Sequence, residues 1–238
     1  MRLIQLLSIL ILNFVLAKTA FGLEQKYLSH SQSDNALTIQ TDKGQVKLTF
    51  YNAETVEAFY QPAGLKQLPS FSIAELPINT KVRLKSSKSQ LDFSSSELQI
   101  IVEKSPLRIR YLKNGLNVLS EEQGLIVENG QRGFRFALSY DEKLMGTGER
   151  VLGMNRRGQK LPLYNKASYG YNGKTEQMYF SLPMILSSNK YLLLFDNSAN
   201  GSADLGKTEK NILEFSAVDG RTSYVLITGE SKIGRAHV

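Results

Sequence analysis

Residues 178–197 read MYFSLPMILSSNKYLLLFDN, and this stretch predicts two antiparallel strands joined by a polar turn at residues 187–190. Apolar runs lie on both sides of the turn, as in a β-hairpin. Residues 192–195, LLLF, are continuously apolar. A strand that is wetted on one face alternates between apolar and polar residues. The run therefore predicts a central strand that is buried on both faces.

A polar segment comes just before this hairpin: residues 164–175 read YNKASYGYNGKT. Tyrosine, asparagine and glycine are typical of a loop that carries aromatic side chains on a mobile backbone. A rigid hairpin that presents such a loop suits contact with carbohydrate. The chain has no tryptophan, which weakens one common signature of sugar stacking, but its 11 tyrosines can serve the same purpose.

The remaining chain shows strand-like runs between turn residues and almost no helical periodicity. Asn114-Gly115 is the strongest short hairpin signal, and Asp219-Gly220 predicts a second hairpin that completes the sheet of residues 178–197. The close spacing predicts an all-β antiparallel β-sandwich over residues 36–231. The predicted strands outside the first hairpin are residues 36–41, 46–51, 55–60, 81–84, 90–93, 98–103, 107–113, 116–119, 125–128, 133–140, 212–217 and 222–228.

The first 22 residues predict a bacterial-type secretory signal peptide. Arg2 precedes an apolar run at residues 3–16, and Ala20-Phe21-Gly22 places small residues where a signal peptidase reads them. A membrane anchor is the alternative, but the run is shorter than the roughly 20 residues that a span requires. We therefore expect export to the periplasm or the medium and no membrane association after cleavage. Residues 23–35 are polar and predict a flexible lead-in.

The last residues are suspect for a different reason. Residues 233–238, IGRAHV, can be encoded by DNA that matches the start of a common sequencing adapter. Our hypothesis is that residues 232–238 are a sequencing-adapter artefact. The natural chain would then continue past Ser231 into a larger protein, here called the parent protein.

Composition narrows the classes of function. Without the signal peptide and IGRAHV the formal charge falls from +7 to +4, because Arg2, Lys18 and Arg235 are lost. So mild a basic excess does not indicate a nucleic-acid partner. The chain has no cysteine, which excludes disulfides and a lipoprotein anchor. His30 and His237 are the only histidines and lie near the ends, so we predict no metal, no cofactor and no serine–histidine triad.

Two arginine-containing segments have structural interpretations. Residues 146–150, GTGER, lack the lysine and hydroxyl residue of a phosphate loop and precede no predicted helix. They predict a tight turn with unusual backbone angles, held by a buried Glu149–Arg150 pair, with ligand contact as the alternative. Arg156, in the segment NRRG, is assigned a structural role. Three interpretations of this segment remain open: it forms a solvated turn, it donates hydrogen bonds to sugar hydroxyls, or it contacts a neighbouring domain.

Glycosidases use two carboxyl groups about 5–10 Å apart, so the aspartates near strand ends need attention. Asp196 ends a predicted strand, Asp204 lies in a predicted glycine-rich loop and Asp219 lies at a predicted hairpin tip. All three positions are ordinary for aspartate in turns. We therefore predict no catalytic residue in this chain.

The second half of the chain resembles the N-terminal region of glycoside hydrolase family 31, the family of α-glucosidases and α-xylosidases. The resemblance covers residues 144–231, and its segments occur in the order of the family. These segments are Gly146-Thr-Gly-Glu-Arg150, Leu152-Gly-Met-Asn-Arg-Arg-Gly158, Leu163-Tyr-Asn165, Tyr169-Gly-Tyr171, Met178-Tyr-Phe-Ser-Leu-Pro183, Leu193-Leu-Phe-Asp-Asn197, Asp204-Leu-Gly206 and Glu214-Phe-Ser-Ala-Val-Asp-Gly220, with residues 224–229.

The resemblance implies a galactose-mutarotase-like N-terminal sandwich followed by a (β/α)8 barrel. It also implies a retaining mechanism whose two aspartates, a nucleophile and an acid/base, both lie in that barrel and outside this chain. The segments YN, YGY and EQM most resemble the bacterial branch that contains oligosaccharide 4-α-glucosyltransferases. We therefore expect an α-linked glucooligosaccharide as substrate and the C-terminal barrel as the partner of this domain.

In several members of the family a loop of the sandwich reaches over the barrel mouth, and residues 164–176 correspond to it. Some members carry an aspartate shortly after the loop asparagine, where this chain has Lys166-Ala-Ser168, so that contact is not transferred. The expected substrate contacts are Asn165, Tyr169 and Tyr171. Packing of the two tyrosines onto the sandwich is the alternative.

Three further interpretations stay open at this point: a free-standing carbohydrate-binding module, a purely structural exported sandwich, and an α-xylosidase of the same family. Hydrolysis or transfer, glucose or xylose preference, the linkage cleaved and the oligomeric state depend on residues outside the chain.

Sequencing of the locus beyond the codon for Ser231 tests the artefact hypothesis. We expect the reading frame to continue into a barrel domain. A natural stop codon directly after Val238 would contradict the hypothesis and favour a free-standing module.

Overall fold

The computed structural model describes residues 25–74, 80–167, 169–173, 175 and 177–230. Within these ranges the chain forms 17 strands and no helix. In chain order they are β1 (Tyr27–Ser33), β2 (Ala36–Thr41), β3 (Gly44–Asn52), β4 (Thr55–Pro62), β5 (Arg83–Ser86), β6 (Gln90–Ser94), β7 (Gln99–Lys104), β8 (Leu107–Lys113), β9 (Leu116–Glu128), β10 (Gln131–Ala137), β11 (Leu144–Gly148), β12 (Lys160–Leu163), β13 (Ser181–Ser187), β14 (Tyr191–Phe195), β15 (Gly201–Leu205), β16 (Ile212–Ala217) and β17 (Ser223–Thr228).

The strands form two antiparallel sheets, which confirms the predicted β-sandwich. The eight-stranded sheet has the order β1-β2-β3-β4-β17-β14-β13-β11. The nine-stranded sheet has the order β12-β15-β16-β10-β9-β8-β7-β6-β5. Side chains alternate along each strand, so each sheet turns one row of apolar residues toward the other and the core lies between them.

Aromatic rings fill much of the space between the sheets. Phe195 on β14 stacks on Phe215 on β16, with ring centroids 4.3 Å apart and planes at 7°. Tyr224 on β17 meets the rings of Phe134 and Phe136 on β10 edge-on, each at 5.0 Å. These contacts join strands from the middle of both sheets, which fixes the two sheets relative to each other.

The hairpin predicted for residues 178–197 is present. β13 and β14 pair with Ile185 opposite Leu193, and the polar turn lies between them. β14 lies between β13 and β17, so it is a central strand as predicted. Leu193 belongs to the core between the sheets, whereas Leu192 and Leu194 point to the opposite side.

The Asn114-Gly115 hairpin is confirmed as well. Asn114 and Gly115 have φ angles of 52° and 75°, and Lys113 pairs with Leu116 across the turn. Positive φ at both central residues matches the right-handed twist of the flanking strands, which explains why this dipeptide is so strong a signal.

The flexible lead-in predicted for residues 23–35 is wrong over its described part. Tyr27–Ser33 forms β1 and pairs with β2, with His30 opposite Ile39. Its side chains are mostly exposed, and the strand is held by backbone hydrogen bonds on an existing sheet edge. Apolar periodicity is absent from such a strand, which is why the sequence did not indicate it.

The second predicted hairpin is also wrong. β16 lies in the nine-stranded sheet and β17 in the eight-stranded sheet, so the two do not pair. The connection between them crosses from one sheet to the other. The side-chain amide of Asn197 holds it by donating to the carbonyl oxygens of Asp219 (2.8 Å) and Arg221 (2.9 Å). We predicted that both strands would join the sheet of residues 178–197. Only β17 does so, and it pairs with β14.

Three short strands were not predicted: β11, β12 and β15. Asp204 lies within β15 and not in a loop, because this segment pairs with β12 and β16 on its two sides. Residues 146–148 end β11 and do not form an isolated tight turn. Their φ angles are nevertheless positive, at 110°, 66° and 88°, and the pairing with β13 shifts at this point.

The predicted signal peptide and the suspect C-terminal residues lie outside the described residues. Over the ranges that the structure covers, we find no helix with the length and hydrophobicity of a membrane span.

One buried carboxyl group joins the two sheets. Glu121 on β9 accepts hydrogen bonds from the hydroxyls of Tyr60 (2.7 Å) and Tyr224 (2.6 Å) and from the backbone N–H of Ile109 (3.2 Å). The Tyr111 and Tyr224 hydroxyls lie 2.8 Å apart. Burial outweighs these hydrogen bonds and raises the pKa of Glu121 from 4.5 to about 7.

This raised pKa predicts a pH dependence of stability. Between the unfolded and folded pKa values the folded state binds more protons, so the free energy of unfolding falls as pH rises from about 5 to about 8. The pKa shift corresponds to a total of about 3 kcal/mol. Urea unfolding of Glu121→Gln across this range should show a clearly flatter profile. Glu97→Gln, at an exposed site, is the control, and parallel profiles for Glu121→Gln and the unsubstituted chain would contradict the prediction.

Candidate functional site

The tyrosine-rich loop connects the two sheets at one end of the sandwich. It leaves β12, an edge strand of the nine-stranded sheet, at Leu163 and enters β13 of the eight-stranded sheet at Ser181. The two ends of the loop are therefore anchored in different sheets. The residues between the two ends have no regular secondary structure where the structure describes them.

Arg150 ties the two ends of this loop together. Its Nη2 donates to the carbonyl oxygen of Pro162 on β12 (2.7 Å) and lies 3.1 Å from the hydroxyl of Ser181 on β13. Its Nη1 donates to the carbonyl oxygens of Glu149 (2.8 Å) and Phe180 (3.3 Å). The guanidinium is buried, which lowers its pKa below the usual value. The planar group thus joins the residues on both sides of the loop.

The predicted buried Glu149–Arg150 pair is wrong, because the Glu149 side chain is exposed and Arg150 bonds to its backbone carbonyl. Backbone contact explains the neighbouring glycine instead. A Cβ on Gly148 would lie 2.5 Å from the Phe180 carbonyl oxygen. Glycine lets the chain approach closely enough for the Glu149 N–H to donate to that oxygen at 2.8 Å, and this places Arg150 under the loop.

Asn165 has one half of its amide engaged in the loop base. Its Oδ1 accepts the backbone N–H of Ser181 at 2.6 Å. The carbonyl oxygen of Tyr164 accepts from Gln177 Nε2 (2.6 Å) and from the Ser181 hydroxyl (3.1 Å). Among the described residues nothing accepts from Asn165 Nδ2. The side chain is exposed, so this nitrogen remains a hydrogen-bond donor toward solvent.

The two predicted tyrosines lie in the open part of the loop. The side chain of Tyr169 is 90% exposed and that of Tyr171 is 51% exposed. Packing onto the sandwich therefore does not account for Tyr169 and accounts for at most half of Tyr171. The exposed rings of Tyr164, Tyr179 and Phe180 accompany them on the same segment. So many solvated aromatic rings on one loop are typical of a contact surface.

A groove of about 430 Å³ runs along the base of the loop. Its walls include Phe71, Tyr164, Asn165, Asp196 and Asn197, whereas Tyr169 and Tyr171 do not line it. The structure therefore places Asn165 in the groove and the two tyrosines outside it. The three predicted contact residues share one loop but not one pocket.

Arg221 closes one side of the groove, and the sequence did not indicate it. Its Nη2 lies 2.7 Å from Glu57 Oε1, its Nε lies 2.9 Å from Asp196 Oδ2, and its Nη1 donates to the Leu68 carbonyl oxygen at 2.9 Å. The Asp196 contact is an ion pair without hydrogen-bond geometry. Glu57 and Arg221 are far apart in the chain, so no local pattern connects them.

The three candidate aspartates are all engaged locally. Asp196 is buried against Arg221. Asp204 accepts the backbone N–H groups of Lys207 (2.7 Å) and Thr208 (3.2 Å), which caps the turn after β15. Asp219 lies 2.9 Å from Arg132 Nη1 and accepts the N–H of Gly220. These contacts give each of the three carboxylates a structural role.

Arg156 lies buried beside the loop base. Its Nη1 donates to the Gly153 carbonyl oxygen at 2.6 Å, and its backbone N–H donates to the carbonyl oxygen of Leu144 on β11 at 2.6 Å. Burial lowers the pKa of its guanidinium. The neighbouring Arg157 donates to the Lys210 carbonyl oxygen at 2.7 Å. Both arginines thus fasten the segment between β11 and β12 to the sandwich.

Comparison with known proteins agrees with this architecture. Residues 45–204 match the model of the glycosyl hydrolase 31 N-terminal galactose mutarotase-like domain. The chain is 22% identical over 214 residues to alpha-glucosidase 2 of Bacillus thermoamyloliquefaciens, with 84% of this chain and 26% of that protein covered. It is 30% identical over 95 residues to alpha-xylosidase XylQ of Lactiplantibacillus pentosus, with 40% of this chain and 12% of that protein covered.

Solved structures share the fold. A family 31 dextranase from Flavobacterium johnsoniae, determined with isomaltotriose, superimposes with a TM-score of 0.81 at 23% identity, covering 87% of this chain and 27% of that one. The cycloalternan-forming enzyme of Listeria monocytogenes, determined with a pentasaccharide substrate, superimposes with a TM-score of 0.74 at 19% identity, covering 87% and 21%. The chain spans about a quarter of the length of these relatives.

The family model covers well over half of the chain, and the two-sheet sandwich found in the structure is the fold that this model describes. The chain therefore belongs to glycoside hydrolase family 31, whose N-terminal galactose mutarotase-like domain it contains.

Proposed function

We propose that this chain is the N-terminal scaffold and substrate-loop domain of an exported, retaining enzyme that acts on α-linked glucosides, either an α-glucosidase or a 4-α-glucosyltransferase. The nucleophile and the acid/base lie in the C-terminal barrel of the parent protein. The 238-residue chain alone is catalytically inactive.

The observation that carries this proposal is a loop with a fixed base and an open, aromatic tip. Arg150 joins both ends of the loop through Pro162 and Ser181, while Tyr169 and Tyr171 remain exposed. A tyrosine ring covers the apolar face of a sugar, and the free Nδ2 of Asn165 is a donor for a sugar hydroxyl. The proposed role of the loop is to bind and orient the substrate, since the proposal places both catalytic carboxyl groups in the barrel.

The substrate class follows from the relatives. The dextranase and the cycloalternan-forming enzyme were determined with oligosaccharides, and one relative is an alpha-glucosidase. An α-linked glucooligosaccharide is therefore the proposed ligand. The similarity to XylQ over 95 residues favours an α-xylosidase as the second candidate. Export rests on the predicted signal peptide at residues 1–22.

Substitutions in the loop of the parent protein test this role. Tyr169→Ala, Tyr171→Ala and Asn165→Ala should each raise KM for a maltooligosaccharide by about five- to thirty-fold, which corresponds to about 1–2 kcal/mol per lost contact. The matched control is Tyr140→Ala, an equally exposed tyrosine that lies near the turn at the other end of the β13–β14 hairpin. Unchanged KM values in all three loop variants would contradict the proposal.

Substitution of Arg150, which joins both ends of the loop, is a separate test. Arg150→Ala should lower the free energy of unfolding by about 2–3 kcal/mol, because the carbonyl oxygens of Glu149, Pro162 and Phe180 lose the charged donor that they share. It should also speed tryptic cleavage after the exposed Lys166 and raise KM in the parent protein. Arg150→Lys should recover little, since an ammonium group lacks the fork that reaches both strand ends.

The control for Arg150→Ala is Arg132→Ala, which removes an ion pair with the exposed Asp219. It should lower the free energy of unfolding by at most about 1 kcal/mol. If Arg150→Ala behaved like this control in stability, cleavage and KM, Arg150 would not position the loop.

A further inference from the structure

The eight-stranded sheet has an apolar side that faces away from the core. We define its outer face by seven side chains: Met145, Met184, Leu186, Leu192, Leu194, Val225 and Ile227. They come from β11, β13, β14 and β17, and each alternates with a residue that points into the core. None of the seven belongs to the core cluster or to the partly buried residues that pack against it.

Strand register places these side chains in two continuous rows. The first row runs across the sheet from Met145 through Leu186 and Leu192 to Ile227. The second row contains Met184, Leu194 and Val225. Leu192 and Val225 are buried and the other five are partly exposed, so the face is a continuous aliphatic surface and not a set of isolated side chains.

The nine-stranded sheet provides a direct contrast. The corresponding outward row across β12, β15, β16 and β10 contains Lys160, Asp204, Glu214 and Arg135. Four charged residues stand there in register, as expected for a sheet face in contact with water. Over the strands compared, the outward side chains of the eight-stranded sheet are aliphatic and those of the nine-stranded sheet are charged, and the charge on the outer side of the eight-stranded sheet begins only at Glu57 on β4.

The continuous run LLLF at residues 192–195 has its explanation here. Its inward members Leu193 and Phe195 pack in the core, whereas Leu192 and Leu194 point to the other side of the sheet and do not belong to the core cluster. Residues 68–72 border the face near Leu194, across the groove. A strand with two apolar faces indicates a second partner layer.

We infer that the outer face is the surface on which the C-terminal domain of the parent protein packs. Relatives of this chain are about four times as long as the part that it matches, so a large further body is available to cover it. β17 contributes Val225 and Ile227, so the face adjoins the C-terminal end of the described chain. This inference rests on the proposed function only in requiring that the parent protein has a C-terminal domain.

Thiol labelling tests the inference, because the chain has no cysteine of its own. Leu186→Cys places one thiol on the outer face, and Arg108→Cys places one on the exposed face of the other sheet as a control. Each variant is reacted with a maleimide dye, once as the 238-residue chain and once as the parent protein. The unsubstituted parent protein gives the background from any cysteine elsewhere.

Labelling of Leu186→Cys should be about tenfold or more slower in the parent protein than in the short chain, since a thiol in a packed interface reacts only when the interface opens. Arg108→Cys should react at the same rate in both. Met145→Cys repeats the measurement at a second position, in case Leu186→Cys does not fold.

Equal rates for the outer-face thiol in both proteins would overturn the inference. Slow labelling of the short chain that accelerates on dilution would also overturn it and assign the face to a second copy of the chain. Slow labelling of the short chain at every concentration would show that the chain covers the face itself. Hydrolysis of an aryl α-glucoside by the same parent preparation is measured separately, so that failure of the proposed function is distinguished from failure of the interface.

Discussion

The packing of two sheet faces through aromatic rings is the constraint on which the other features depend. Phe195 and Phe215 stack across the core at 4.3 Å, and Tyr224 meets two phenylalanine rings of the opposite sheet. The tyrosine-rich loop leaves one sheet and enters the other, so the distance between its ends is set by this packing. Arg150 then closes the gap with hydrogen bonds to both ends. Loop position is thus a consequence of core packing, and the loop residues themselves are free to contact a ligand.

Features encoded by neighbouring residues were predictable from the sequence. The hairpin of β13 and β14, the central position of β14 and the Asn114-Gly115 turn all follow from local apolar patterns or turn chemistry. β1 was missed because a polar edge strand is held by backbone hydrogen bonds and has no apolar period. The assignment of β16 and β17 to one hairpin failed because a turn signal does not reveal whether a chain returns to the same sheet or crosses to the other.

The candidate site shows the same limit. Loop composition indicated Asn165, Tyr169 and Tyr171, and the structure places them on one exposed segment, though only Asn165 lines the groove. The cluster of Arg221, Asp196 and Glu57 was out of reach, because its members come together only through the pairing of β4 with β17 and the end of β14. The expected Glu149–Arg150 pair failed because the Glu149 side chain is exposed, while the buried Arg150 guanidinium donates to backbone carbonyl oxygens around the loop base.

These properties agree with the proposed role of a domain that binds and positions a substrate. The carboxylates near the loop are engaged by Arg221, by turn N–H groups or by Arg132, while the loop tip offers aromatic rings and a free amide donor. The aliphatic outer face of the eight-stranded sheet is the surface that we infer to receive a second domain, in contrast to the charged outer row of the other sheet. The most direct measurement of this account is the hydrolysis of an aryl α-glucoside by the purified 238-residue chain and by the parent protein under identical conditions. The account predicts turnover by the parent protein and none by the 238-residue chain. Turnover by the short chain, or its absence in a folded parent protein, would contradict it.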